Sequence, residues 1–185
     1  MQKSSTHSTI RQVTAPETPT FAFDEVDLAL LKVLVTDARL SQRQIAGNLG
    51  ISAPTVSERM SRLEKAGVIR GYTAEVDWAA LGYPLTVFLS VVATPGYDIG
   101  DVMSQMWKIP EVQDVLLVTG DLDLLVRLRA RDHNHLRAIL MDRVWQVTGL
   151  QGTATQVSIA EMPAKNFSEG LLLEIEEFLK EQREA

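Results

Sequence analysis

A chain of 185 residues with 45% hydrophobic content can fold one or two domains around real cores, and its lack of cysteine excludes disulfides, thiolate metal sites and cysteine nucleophiles. No apolar run approaches the length needed to cross a bilayer, so the expectation is a soluble, cytoplasmic protein without a membrane partner. The net charge of -6 argues against a nucleic-acid partner only until it is divided: through Val76 basic and acidic residues nearly balance, and the excess acid lies beyond Asp77.

Residues 1–22 are rich in Ser and Thr, carry Pro16 and Pro19 and have little to bury, which predicts a disordered tail. With Lys3 and Arg11 against Glu17, a transit peptide or a basic arm on DNA phosphates are the alternatives. From Phe23 to Thr36 the pattern is helical. Asp24 is the expected cap, Asp27 sits in the acid-favouring first turn, Phe23 can staple to Leu28, and Leu28, Leu31 and Val35 form an apolar stripe.

Two short helices follow. Ser41 and Gln44 form a capping box with Leu40 and Ile45 as its staple, Gly50 ends the first helix, and Ser52 caps the second with Ile51 and Val56 as staple. Two helices a three-residue turn apart make a helix-turn-helix, whose second helix can enter the DNA major groove. Along that helix Val56, Met60 and Leu63 fall on one stripe. Pro54, Thr55, Ser57, Glu58, Ser61, Arg62 and Lys65 fall opposite, a face able to set hydroxyls, a carboxylate and cations against bases and phosphates. Between Ser41 and Arg70 the cations Arg43, Arg59, Arg62, Lys65 and Arg70 outnumber Glu58 and Glu64, so the local field is positive. A plain helical hairpin with a solvated face is the other reading. The helix-turn-helix domain spans 23–68, and Val68 to Val76 alternates like a strand, a wing or connector within a linker over 69–83.

From Pro84 the period changes. Strands are expected at Leu85–Ala93, Val112–Val118, Leu122–Ala130 and Thr153–Met162, and helices at Ile99–Trp107 and His133–Val147, with a hairpin turn at Thr119, Gly120 and Asp121. The order βαββαβ is the split ferredoxin-like unit, giving an α+β fold class with this domain at 84–163. Two helices cover one sheet face. The other, which includes Leu125, lacks a covering layer, and an identical subunit is the simplest cover. Over 164–185 a helical extension from about Ser168 to Gln182 sets Leu171, Ile175 and Phe178 against Glu174, Glu176, Glu177 and Glu181. Asp121 and Asp123 are explained by the turn, and His133 and His135 point to different faces of a helix start, so no catalytic residue, metal site or cofactor is expected.

The segments DEVDLALLKVL, SQRQIAGNLGISAPTVSERMSRLEKAGVIRGYTAEVD, TGDLDLLVR and GTATQVSIAE, in that order, resemble the Lrp/AsnC (leucine-responsive/asparagine regulator, feast/famine) family of prokaryotic transcription regulators. The resemblance covers roughly Phe23 to Met162. It implies a DNA-binding helix-turn-helix and a ferredoxin-like domain that dimerises and senses small molecules, usually amino acids, in dimers that assemble into tetramers, octamers or larger discs. The reading helix then corresponds to Ser52 through Arg62, with Arg59 among its cations. The effector cleft of the family lies between sheet domains beside a Gly-Asp-aromatic-Asp turn, here Gly120, Asp121, Leu122 and Asp123, with leucine in the aromatic place. Thr148, Gly149, Thr153 and Thr155 correspond to the other wall. A sirohaem-decarboxylase-like enzyme, or an effector-independent architectural DNA binder, are the alternatives that similar scaffolds imply.

Overall fold

The computed structural model describes residues 21–162 and 165–184, in two compact units, one of helices alone and one built on a sheet. Residues 1–20, expected as a disordered tail, lie outside the described residues.

The helical unit contains α1 (Glu25–Thr36), α2 (Gln42–Leu49), α3 (Ala53–Lys65) and α6 (Phe167–Glu184), the last joining it from the C-terminus. Each of the first three starts where its cap dictates. Asp24 and Asp27 form a reciprocal capping box, as do Ser41 and Gln44, and Ser52 accepts from the Thr55 N–H. Gly50 takes φ 65°, the left-handed conformation that glycine adopts without a Cβ penalty, and so turns the chain from α2 to α3. Leu30, Leu34, Ile45, Ala46, Val56 and Leu63 form the buried trihelical core, with Leu40, Ile51 and Met60 packed around it. Phe21, assigned to the tail by sequence, also packs against this core.

Three expectations are corrected here. Leu28 is buried but lies outside the trihelical cluster, and the stripe it shares with Lys32 and Val35 faces α6. Lys32 pairs with Glu176, and Asn166 Nδ2 donates to the Val35 carbonyl at 3.1 Å. On α6, Leu172, Ile175, Glu176 and Leu179 are the half-buried positions, while Leu171 and Phe178 are exposed, so the packed face is rotated from the expected one. Val68 to Val76 forms no strand, because no partner strand flanks it among the described residues. Instead the Val68 and Ile69 N–H groups both donate to the Leu63 carbonyl, closing α3, and Ile69 packs on the core.

The sheet unit runs β1 (Leu85–Ala93), α4 (Ile99–Trp107), β2 (Val112–Leu117), β3 (Leu124–Ala130), α5 (His133–Asp142), a 3-10 turn (Val144–Gln146) and β4 (Leu150–Val157). The strand order is β2-β3-β1-β4 with every pair antiparallel, the split ferredoxin-like topology. Val87, Leu89, Val91, Leu124, Val126 and Leu128 point to the helices, where they bury Val102, Met106 and Ile139. Residues of opposite parity, Phe88, Ser90, Leu116, Leu125 and Ala154, share the open face. The helix expected through Val147 breaks at Arg143 (φ -131°, ψ -61°), which lets the following turn bury Val144 and Val147. Strand β4 begins at Leu150 and ends at Val157, earlier than expected at both ends, because its pairing partner β1 runs from Ala93 back to Val87. No helix among the described residues is long and apolar enough to cross a membrane.

Candidate nucleic-acid interface and effector turn

The reading helix α3 presents the expected face with one large exception. Ser52, Pro54, Ser57, Glu58 and Lys65 are exposed, and Thr55 and Ser61 are half-buried at its margin. Ser52 Oγ lies 2.7 Å from Thr55 Oγ1, so the two hydroxyls form one polar corner at the helix start. The exception is Arg59 and Arg62. Asp27 is fully buried, and its carboxylate accepts from Arg59 Nη1 at 3.1 Å and from Arg62 Nη2. Arg59 also pairs with Asp24, and the Arg62 guanidinium lies 5.1 Å above the Phe21 ring. Two of the five cations expected to face DNA therefore lash α3 to the start of α1. Arg62 keeps part of its surface open, but its charge is already answered by a buried carboxylate. The hydrogen bond from Arg59, then that from the Asp27 N–H, hold the Asp24 carboxyl down at about 2, and Asp24 in turn raises the Arg59 pKa. The cations left on this side are Arg43, Lys65 and Arg70, which are exposed and form no ion pair among the described residues. Glu64, opposite in sign, accepts from the Tyr72 hydroxyl at 3.0 Å.

At the sheet unit the turn residues hold different positions. Gly120 has φ 125°, in the region glycine favours, and Asp121 is exposed. Asp123 is structural: its carboxylate accepts from the Ala93 N–H at 2.8 Å and its own N–H donates to the Val91 carbonyl at 2.9 Å, tying the hairpin to the end of β1. That same end of β1 meets the second wall, because the Thr94 N–H donates to the Gly149 carbonyl at 2.8 Å. Thr148 is held through both backbone groups by the Gln105 amide. Gly149 has φ 87°, and a Cβ there would stand 2.6 Å from Tyr97 Cδ1, so glycine is needed for close approach as well as for conformation. Thr153 accepts from Trp145 Nε1 at 3.3 Å on the helix side of β4. Thr155 pairs with Leu89 halfway along the sheet, away from this end. The structure thus brings Gly120, Asp121, Leu122, Asp123, Thr148 and Gly149 to one end of the sheet and leaves Thr155 out.

His135 is accounted for locally. His135 Nε2 lies 3.4 Å from Glu111 Oε1, whose other oxygen accepts from Arg143, and the His135 ring meets Tyr83 edge-on at 5.9 Å. Among the described residues no cluster of His, Asp and Glu could hold a metal ion.

Residues 23–70 match the winged helix-turn-helix DNA-binding family, and residues 86–165 match the Lrp/AsnC ligand binding domain. FL11, an HTH-type transcriptional regulator of Pyrococcus horikoshii, is 32% identical over 148 residues, spanning 77% of this chain and 97% of its own length. The chain belongs to the Lrp/AsnC family. The leucine-responsive regulatory protein of Escherichia coli is likewise 32% identical, over 77% of this chain and 88% of its own. A Neisseria meningitidis transcriptional regulator, solved as a complex with L-Met, shares the fold at a TM-score of 0.73 and 24% identity, covering 78% of this chain and 94% of its own. Like its relatives, this Lrp/AsnC protein is a DNA-binding transcription regulator with an effector-binding domain.

Proposed function

We propose that this regulator reads double-stranded DNA through the face of α3 formed by Ser52, Pro54, Thr55, Ser57, Glu58, Ser61 and Lys65, with Arg43 and Arg70 as flanking cations for phosphates. It carries an amino-acid effector at the Gly120–Asp123 turn, where an identical subunit covers the open sheet face. The observation that supports the DNA contact is the polar, largely exposed face of α3, capped by Ser52, on a helix-turn-helix whose opposite face buries Val56 and Leu63. For the effector, the exposed Asp121 carboxylate supplies an acceptor for an ammonium group, and the backbone N–H groups around Gly120 with the hydroxyl of the exposed Thr148 supply donors for a carboxylate. Leu122 makes the slot apolar and favours aliphatic or thioether side chains. The L-Met complex described for the Neisseria protein is consistent with that chemistry. Dimers meeting through the open face would build the even-numbered assemblies that the family resemblance implies.

A thermal-shift screen of free amino acids tests the effector. A ligand that binds only the folded assembly stabilises it by about 2.7 kcal/mol at a hundredfold excess over its dissociation constant. Asp121→Ala should abolish the shift. Asp123→Ala is the wrong test, because it also frees the Ala93 N–H. No shift with any amino acid, or a shift that survives Asp121→Ala, refutes the assignment.

A further inference from the structure

The helix α6 carries one apolar face more than its packing on α1 uses. Leu172, Ile175 and Leu179 are half-buried, whereas Phe167, Leu171 and Phe178 are exposed, Phe167 at 64% and Phe178 at 57%. At about 100° per residue these three lie within about 40° of one another, so they form a second stripe along the helix. A contiguous exposed apolar stripe marks a contact surface, and its rim narrows the partner. Glu174 stands on the edge of the stripe with Glu181 and Glu177 beyond it, and none of the three forms an ion pair among the described residues. A second α6 laid on the stripe sets glutamate against glutamate, and nucleic acid or an anionic membrane is repelled as well. The partner has to bring cations beside an apolar surface.

The sheet unit carries such a surface. On α5 Leu136 and Ile139 are buried, and the outward side presents Arg137 and Met141 one turn apart, both exposed. Trp145, 55% exposed, follows just beyond the helix with its indole anchored to Thr153 Oγ1 at 3.3 Å. The side chains of Arg131 and Arg137 form no ion pair among the described residues. Of the acids nearby, Asp132 is engaged as the cap of α5, and Asp142 lies about 140° around the helix from Arg137. Arg43, Lys65 and Arg70 are also unpaired, but in the reading above they meet phosphates. Because α5 covers the helix side of the sheet, its outward surface stays free when the open face is occupied.

We propose that α6 of one subunit docks its exposed stripe on the surface formed by Arg137, Met141 and Trp145 of a neighbouring subunit, with the glutamate edge facing Arg137 and Arg131. The apolar contact supplies affinity, and the charges choose the partner and its orientation. The two surfaces differ, so the contact is heterologous. It joins dimers into rings where the rotation closes and into open chains where it does not. The inference rests on the assembly reading above only in taking the dimer as the repeating body.

Light scattering on the full chain tests the contact. The parent chain should exceed the mass of a dimer. Arg137→Glu, and separately Glu174→Arg with Glu177→Arg, should each weaken the association of dimers at least about tenfold, because like charges then meet, and so lower the mass towards that of a dimer. Combining the three substitutions should restore the mass, a rescue that a local effect at either site does not produce. Phe178→Ser should lower the mass with the helical dichroism signal retained. A parent chain that stays a dimer across the accessible concentrations overturns the proposal, as does an unchanged mass in Arg137→Glu or in Phe178→Ser. A combined variant that is not restored overturns it too. Leu125→Asp separates this contact from the open face: a mass unchanged by Leu125→Asp but lowered by Arg137→Glu and restored by the combined swap refutes the open face and upholds the docking of α6 on α5.

Discussion

Arg62→Ala separates a DNA contact from a structural lash. Asp27 is fully buried and accepts from Arg62, from Arg59 at 3.1 Å and from the Asp24 N–H at 3.1 Å. Stranding a buried charge by removing its only partner costs about 3–5 kcal/mol. Here one guanidinium remains, so the single substitution should cost less, about 1–3 kcal/mol, which includes the loss of the contact with Phe21. Arg59→Ala with Arg62→Ala leaves Asp27 without a cation and should approach about 3–5 kcal/mol. The assay is denaturant unfolding read by two probes. Trp78, Trp107 and Trp145 all lie in the sheet unit, so tryptophan fluorescence is blind to the helical unit, while circular dichroism reports both. The Arg62→Ala midpoint should fall in the dichroism trace at unchanged slope, with the fluorescence trace unmoved. An unchanged dichroism midpoint combined with weaker DNA binding at fixed salt would refute the reasoning and return Arg62 to the DNA-facing set.

The Asp24 carboxyl, held at about 2 by Arg59, has a folded pKa below its unfolded value of 3.8, so its contribution is present above pH 4 and lost as pH falls towards 2; acid unfolding of the helical unit should shift to higher pH in Asp24→Asn, and an identical acid midpoint would contradict this. Leu125→Asp places a charge in the middle of the open sheet face and should lower the assembly size in light scattering and, because subunit association stabilises the folded sheet unit, the fluorescence unfolding midpoint with it; an unchanged mass would exclude that face as the subunit contact. Removing residues 167–184 uncovers the Leu28 and Val35 stripe and should lower the dichroism midpoint by more than Lys32→Ala does, since that half-exposed ion pair is worth no more than about 1 kcal/mol; equal effects would mean that α6 contributes only the ion pair.

The sequence was legible where one local rule decides the outcome. Caps gave the starts of α1, α2 and α3, because a side-chain oxygen three residues before its backbone partner needs nothing distant. The change of period after Pro84 gave β1 with its bounds, which are those observed. Alternation misjudged Val68–Val76, because it cannot tell whether a partner strand exists. The rotation of α6 was hidden for the same reason: Leu171 and Leu172 are equally apolar, and only the position of α1 decides which is covered. Arg62 falls on the polar side of its helix and Arg59 counts among the cations around it, so the sequence placed both towards DNA. Their partners are more than thirty residues away, and the available signal was Asp27, an acid standing between the apolar Val26 and Leu28. At the turn, Gly120 and Asp121 were readable as a bend, whereas the Asp123 bond to Ala93 requires the hairpin to be docked on β1.

The lash changes how DNA affinity must arise. Each phosphate neutralised contributes one released counterion, so cations already paired within the protein add little to the salt dependence. With Arg59 and Arg62 withdrawn, the side of the domain carrying α3 keeps Arg43, Lys65 and Arg70 against Glu58 and Glu64, a field much weaker than the bare count suggests. A single helix-turn-helix of this kind would bind phosphates poorly. In the proposed assembly, tethering a second reading head raises its effective concentration at the DNA, so avidity replaces the missing charge. Occupancy of an operator then depends on whether subunits hold their reading heads at a spacing the DNA can match. An effector at the sheet unit needs only to alter assembly or that spacing, without touching α3, to change binding by the whole avidity factor.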